Sequence, residues 1–285
     1  MLTQIDNPIE ILESFEPEKA AVFTLRLFLT RRDGDYPQAI SLVDDVTCPS
    51  VLIAHRGGHF MMAGRIDSLW NAPMDDLFHG RVEQTPAWPD EPLVKDWEEG
   101  KTRGHENRGI FLDQAPLSAW NAAITSGFLP DPKDNHASTA NVFYIEGEPR
   151  FIHRIDPSHK CRLGVGDELV EYLLRGIGYD PEGEYVRRCV ENGPSFVCEV
   201  EGEKVCWSCT HLNNAMGMIY TPEEHRKKGY GRSLAAFQTD HMLKRDGFAL
   251  CHVIDTNIAS RTMLKGFGFA MVDTPLVWRA VIWGE

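Results

Sequence analysis

Residues 215–247, AMGMIYTPEEHRKKGYGRSLAAFQTDHMLKRDG, constrain this chain more than any other segment. The apolar run 215–221 reads as a strand, two glycines one residue apart follow it, and 230–245 has helical composition ending in Lys244 and Arg245 with Gly247 as C-cap. A strand feeding a helix through a glycine turn points unpaired backbone N–H groups and the positive end of the helix dipole at one spot. That spot suits an anion, and the close approach that Gly229 and Gly231 permit suits a phosphate or pyrophosphate. The N–H groups from about Lys227 to Ser233 are expected to form the nest, with Arg226, Lys228 or Arg232 adding charge-assisted contacts.

The wider composition makes this cluster more telling. The formal net charge is -13, so the average surface repels nucleic acid and anionic membranes, and neither is expected as a partner. No stretch approaches the roughly 18 apolar residues of a membrane helix. The acidic N-terminus lacks the pattern of a secretory signal, and a cytoplasmic location is expected. Seven irregularly spaced cysteines fit free thiols better than a disulfide framework. Cys206 and Cys209 in CWSC stand three apart on a strand, facing opposite sides, and read as structural thiols; no metal site is expected.

Two known phosphate motifs fail on this segment. A P-loop needs Lys then Ser or Thr after its last glycine, where Arg232 and Ser233 stand; a dinucleotide fingerprint needs a small residue at 234, which is Leu234.

The rest of the chain divides at 130–139, PDPKDNHAST, which has linker composition, giving an N-terminal α/β domain over 1–135 and a second domain over 136–285. In the first, 17–30 reads as a helix, 50–64 as a hairpin turning at Arg56-Gly57-Gly58 rather than a ligand cluster of His55 and His59, and 86–109 as a long surface loop. In the second, NVFYI and RFIHRI read as strands around 146–149. A helix capped by Asp167 carries Leu169, Val170, Leu173 and Leu174 on one face and closes at Gly176 and Gly178; a further helix covers 181–191. SFVCEV and KVCWSCT form a hairpin, FALCHVI follows the long helix as a strand, 257–265 is a short helix, and GFGF leads to terminal strands near Val272 and over 277–283.

YTPEEHRKKGYGRSL resembles the coenzyme A pyrophosphate motif of the GNAT superfamily of acyl-CoA-dependent N-acyltransferases, and DTNIASRTMLKGFGF is similar to that family's following segment. The resemblance covers about 140–285. Within it, RRCVENGPSFVCEVEGEKVCWS together with MGMIYTPEEHRKKGYG looks most like the glycine N-acyltransferase-like branch. The fold class implied is α/β (α+β): a GNAT fold with a mixed, mainly antiparallel sheet, preceded by an α/β N-terminal half, itself a candidate degenerate GNAT-like domain.

The resemblance further implies that acetyl-CoA or another acyl-CoA is the co-substrate and a small-molecule amine, an amino acid among the candidates, the acceptor. Backbone groups of Ile219, Tyr220 and Thr221 would pair with pantetheine, and an N–H near Ile219 would polarise the thioester carbonyl. Arg226, Lys227, Lys228, Gly229, Tyr230, Gly231, Arg232 and Ser233 would take the pyrophosphate, and Asn257 the pantetheine arm. Trp207 and Tyr220 are candidates for the acceptor site. The sequence departs from the family where a tyrosine often serves as general acid, here Leu264, and where the glycine-acyltransferase branch places an acidic base, here Ala215. The catalytic residues are therefore unassigned, with His211 and His252 the nearest alternatives. A non-catalytic coenzyme A-binding module and a protein N-acetyltransferase stay open beside the small-molecule enzyme, and composition says nothing of oligomeric state.

Overall fold

The computed structural model describes residues 3–12, 14, 29, 40–56, 59–64, 108–116, 138–171, 184–211, 214–272 and 276–283. The helix expected over 17–30 apart from Leu29, the loop over 86–109 apart from Arg108 and Gly109, which open a strand, and 130–137 of the linker lie outside them. Two compact units emerge: Met1–Asn141 with Val272–Glu285, and Val142–Met271.

The first unit is built on strands β1 (Thr3–Ile5), β2 (Ile40–Val43), β3 (Val51–Arg56), β4 (His59–Gly64) and β5 (Arg108–Pro116), with a short helix α1 (Pro8–Leu12) after β1. β1 to β4 run antiparallel, and the expected hairpin pairs Arg56 with His59. β4 then pairs β5 in parallel, and β5 pairs antiparallel with the C-terminal strand β13 (Leu276–Trp283). Val51, Leu52, Ile53 and Ala54 are all buried, so both faces of β3 are covered. The β2–β3 turn is tied by the Asp44 carboxylate, which accepts the N–H groups of Ser50 at 2.9 Å and Val51 at 3.1 Å.

The second unit holds the opening segment. Its strand order is β6 (Ser138–Glu146), β11 (Phe248–Ile254), β10 (Met216–Tyr220), β9 (Glu203–Thr210), β8 (Ser195–Val200), β7 (Lys160–Leu163), and β12 (Ala270–Met271) pairs β6. The β10–β11 pair is parallel and those from β7 to β10 are antiparallel, so the sheet is mixed. Helix α2 (Glu184–Asn192) overlaps the span expected to be helical at 181–191 and runs one residue past it.

Helix α3 (Tyr230–Asp246) packs across the sheet through Leu234, Ala235, Ala236, Met242 and Leu243. It ends as the sequence expects: Gly247 is left-handed at φ 77° and returns its N–H to Leu243 O. Helix α4 (Ile258–Phe267) adds Leu264 and Phe267 to the same core as Phe143, Phe151, Met216, Ala249 and Val253.

RFIHRI is not a strand. Ile152–Arg154 is a 3-10 turn, because the Asp240 carboxylate on α3 captures the N–H groups of Arg150 at 2.7 Å and Phe151 at 2.8 Å, which a ladder would otherwise use. Arg154 then lies over the rings of Phe151 and Phe267 and donates to Gly266 O at 2.6 Å. The strand that does pair with β8 is β7, which composition did not mark. After it, Gly166–Leu169 is also 3-10, with Leu169 and Val170 buried; Leu173, Leu174, Gly176 and Gly178 lie outside the described residues.

Asp240→Ala leaves two backbone donors without their acceptor and is expected to cost about 1–3 kcal/mol. A lower urea midpoint at unchanged slope is the expected readout, with Asp240→Asn retaining most of the stability.

Candidate functional site

β10 is irregular where it matters. Gly217 pairs with Cys209 and Tyr220 with Trp207, so Met218 and Ile219 together stand opposite Ser208. This is a β-bulge, and Met218 carries it at φ 52°, a conformation costly for a side chain of that size. On its other edge β10 pairs in register with β11 at one position, Met216 with Cys251. Ile219, Tyr220 and Thr221 thus follow a strand that is bulged on one side and leaves its ladder on the other.

The chain then folds tightly. Glu223–His225 is a single 3-10 turn after Pro222, and Arg226 closes it by donating from Nε to Thr221 O at 3.0 Å. Lys227 at φ 63° and Gly229 at φ 86° are both left-handed, a winding that gathers successive N–H groups on one side of the backbone. Gly229 is the N-cap of α3, and no side chain caps the helix there.

The first intrahelical bond runs from Ser233 N to Gly229 O at 3.0 Å. The N–H groups of Tyr230, Gly231 and Arg232 therefore have no partner inside the helix. The expected nest ends at Arg232, one residue earlier than composition suggests. Ser233 is buried, and its hydroxyl accepts the Asp156 N–H at 3.3 Å and lies 2.8 Å from His159 Nδ1, so its side chain braces the helix.

Basic residues crowd this end, while the acids nearest in sequence, Glu223 and Glu224, stay in the preceding turn. The first turn of α3 has no acidic residue, whereas Arg226, Lys227, Lys228 and Arg232 are exposed beside it. Cations are ordinarily disfavoured at the positive end of a helix dipole. Gly231 sits where the first turn meets β10: a Cβ there would lie 3.4 Å from Thr221 Oγ1 and 3.9 Å from Ile219 Cγ2. Thr221 in turn donates its hydroxyl to Cys206 Sγ at 3.1 Å.

His159, 74 residues from Ser233, belongs to the site although no sequence motif marks it. Its Cε1 would be 3.7 Å from a Cβ on Gly229, and its ring meets Tyr230 edge-on at 4.8 Å. The His225 ring also lies 6.3 Å from that of Tyr230, with Nε2 3.4 Å from Glu203 Oε1.

The remaining candidates lie on β10, β11 and α4. Asn257 is exposed and caps α4, accepting the Ser260 N–H at 3.1 Å on its side-chain oxygen. Leu264 and Ala215 are both buried, Leu264 within the apolar core. His211 begins a tight turn, with its N–H bonded to Ala215 O at 2.8 Å, and its ring fills the space that a Cβ on Gly217 would need. Met216 and Cys251 face the α3 core, so by alternation Gly217 and His252 face the opposite side. His211 and His252 are thus brought to one face, together with the Trp207–Tyr220 ring pair at 5.8 Å. Cys206 and Cys209 are both buried and point to opposite faces, Cys206 to the α3 side and Cys209 to Met218 at 3.7 Å; among the described residues no group of His, Cys, Asp or Glu is arranged to hold a metal ion.

Comparison with known proteins places this geometry. The family model of the FR47-like proteins matches residues 196–278, from β8 into β13 and including the whole turn, less than half of the chain. No curated protein matches in sequence at a significant level. Among solved structures, a Drosophila protein is 13% identical with a TM-score of 0.62, covering 98% of each chain. A GCN5-related N-acetyltransferase from Sphaerobacter thermophilus is 11% identical with a TM-score of 0.52, covering 100% of this chain and 96% of its own. Another from Kribbella flavida is 12% identical with a TM-score of 0.51, covering 93% and 96%. The chain has the GNAT acetyltransferase fold. Among the described residues no helix is long and apolar enough to cross a membrane.

Gly229→Ala places a Cβ in the left-handed region and is expected to cost about 1–2 kcal/mol of stability. Chemical denaturation against the parent chain measures it.

Proposed function

We propose that this chain is an acyl-CoA-dependent N-acyltransferase that transfers an acyl group, acetyl first among the candidates, to the amine of a small molecule. The observation that carries the reading is the start of α3: three N–H groups without intrahelical partners, no capping side chain, no acid in the first turn and four exposed basic residues beside it, at the end of a strand that departs from its neighbour. An anion with an extended arm satisfies both features. The GNAT fold and the FR47-like match across the same residues support it.

In this reading the N–H groups of Tyr230, Gly231 and Arg232 hold the pyrophosphate, with Lys227, Lys228 and Arg232 supplying charge. The backbone of Ile219 to Thr221 pairs with the pantetheine as an added strand, and Asn257, whose side-chain oxygen is engaged in capping, offers its amide N–H groups to the same arm. Bound acyl-CoA supplies a thioester carbonyl open to attack by a neutral amine, and a thiolate leaving group. The chain's own tasks are to polarise that carbonyl, with an N–H of the bulge near Ile219, and to take a proton from the incoming ammonium. His211 and His252, on the face away from α3, are the groups able to take it. Leu264 supplies no acid, so the thiolate departs without a proton from that position. The similarity to the glycine N-acyltransferase-like branch favours an amino acid as acceptor.

A second reading, a coenzyme A-binding module without turnover, is favoured by Leu264 and Ala215 standing where family members carry catalytic side chains. A thiol-release screen of small amines against acetyl-CoA and longer acyl-CoAs separates the two. Saturable release with one amine establishes the transferase; tight binding without release for every amine establishes the module.

Gly231→Asp sets a carboxylate and a Cβ against the anion site, beside Thr221 and Ile219. Calorimetry is expected to show coenzyme A binding abolished while circular dichroism shows the fold retained. Unchanged affinity would remove the assignment of this turn.

A further inference from the structure

Three thiols stand in a row across the sheet of the second unit. Cys161 on β7 is directly opposite Cys198 on β8, and Cys198 is directly opposite Cys206 on β9. All three pack in or against one apolar cluster with Phe196, Val205 and Leu234.

The two pairings are not equivalent. Gly164 N donates to Ser195 O at 2.7 Å, which makes that position a hydrogen-bonded pair of the β7–β8 ladder. Counting back by alternation, Cys161 and Cys198 form a non-hydrogen-bonded pair. The Cys161 N–H accordingly turns away from β8, to His159 O at 3.1 Å. On the other side, Thr210 N donates to Pro194 O at 3.2 Å, so the same alternation makes Cys198 and Cys206 a hydrogen-bonded pair. Non-hydrogen-bonded partners stand about 4.5 Å apart at Cα with their side chains closer, against about 5.5 Å for hydrogen-bonded ones. A disulfide spans about 4.4–6.8 Å between Cα atoms. Cys206 is further occupied by the Thr221 hydroxyl, and burial pushes its thiol up to about 12.

We propose that Cys161 and Cys198 are a reversible dithiol–disulfide site, oxidised by exchange with a small-molecule disulfide of the glutathione class. Cys198 is fully buried and Cys161 half-buried, so the oxidant meets Cys161 first. The Cys161 sulfur attacks one sulfur of the oxidant, whose S–S bond breaks, and one thiol leaves with the Cys161 proton. Cys198 then attacks the Cys161 sulfur, and the second thiol leaves with the Cys198 proton. The protein gives up two electrons and two hydrogens, and the oxidant becomes two thiols. The Cys198 thiol beside it and burial hold the Cys161 thiol above its ordinary value, so the first attack is slow at neutral pH, while Cys198, held below its ordinary value by Cys161, is the readier of the two to close the bond. The new bond fixes β7 two residues beyond His159, whose ring braces Ser233 at the start of α3.

The test is to equilibrate the full, reduced chain with glutathione mixtures of rising oxidised fraction, quench with an alkylating agent, and map peptides without reduction. A Cys161–Cys198 crosslink is expected, reversed by dithiothreitol, absent from Cys161→Ser and retained in Cys206→Ser. Three results overturn the proposal: a stable glutathione adduct on Cys161 without the crosslink, a Cys198–Cys206 crosslink in its place, or alkylation of both Cys161 and Cys198 at the most oxidising mixture. Because the parent chain alone gives each of these outcomes, a variant that fails to fold leaves the test intact.

Discussion

The second unit depends on two parallel strands held together from behind more firmly than from the side. β10 and β11 pair in register at Met216 and Cys251, after which β10 bulges at Met218. α3 maintains the arrangement. Its Ala235 and Ala236 have no side chain beyond Cβ, so the helix approaches Met216, Ala249 and Val253 closely and buries all of them in one cluster. The same helix grips β9 through Gln238, which accepts the Ser208 hydroxyl at 3.1 Å. A continuous ladder between β10 and β11 would satisfy their backbones but leave no edge for an extended ligand. Packing behind the sheet lets that ladder stop without the strands drifting free.

The same helix sets the electrostatics at its start. In a chain with net charge -13, gathering Arg226, Lys227, Lys228 and Arg232 at the positive end of a dipole works against the local field. Part of the cluster is structural: Arg226 ties down Thr221 O, and Ser233 belongs to the brace formed by Asp156 and His159. Lys227, Lys228 and Arg232 are the basic residues left exposed beside the N–H groups of the first turn. The segment thus divides into residues that shape the turn and residues that face outward from it, a division invisible in the motif itself.

Local chemistry made the strand, turn and helix readable from sequence. Gly229, Gly247 and Asn257 sit at helix ends because a left-handed conformation or a side-chain acceptor is needed there, and those needs are written in single residues. What was not readable depends on partners far along the chain. RFIHRI has strand composition, but Asp240, 89 residues away, takes the Phe151 N–H and turns the backbone. β7, Lys160–Leu163, alternates polar and apolar residues over only four positions, too few to announce a strand, and it pairs along the edge that β8 offers. His159 enters the site only because Ser233 meets it. The bulge at Met218 was equally hidden, since methionine carries no preference for positive φ and β9 supplies the register that forces it.

Leu264 and Ala215, where the sequence departs from the pattern it resembles, lie where the architecture makes them intelligible. Leu264 packs with Phe267, Met216 and Val253, so its position serves the core shared by α3 and α4. Ala215 is buried at the start of β10, where its carbonyl accepts the His211 N–H and closes the turn from β9. That turn lays the His211 ring over Gly217, on the face opposite α3, and β11 places His252 on the same face by simple alternation. The turn and the neighbouring strand thus set two imidazoles on one face of the sheet, the face where the proposed acyl transfer needs a proton acceptor. Under the proposed acyl transfer, thiolate departs readily without an acid, so the proton acceptor matters more than the donor, and Leu264 is the less costly of the two departures.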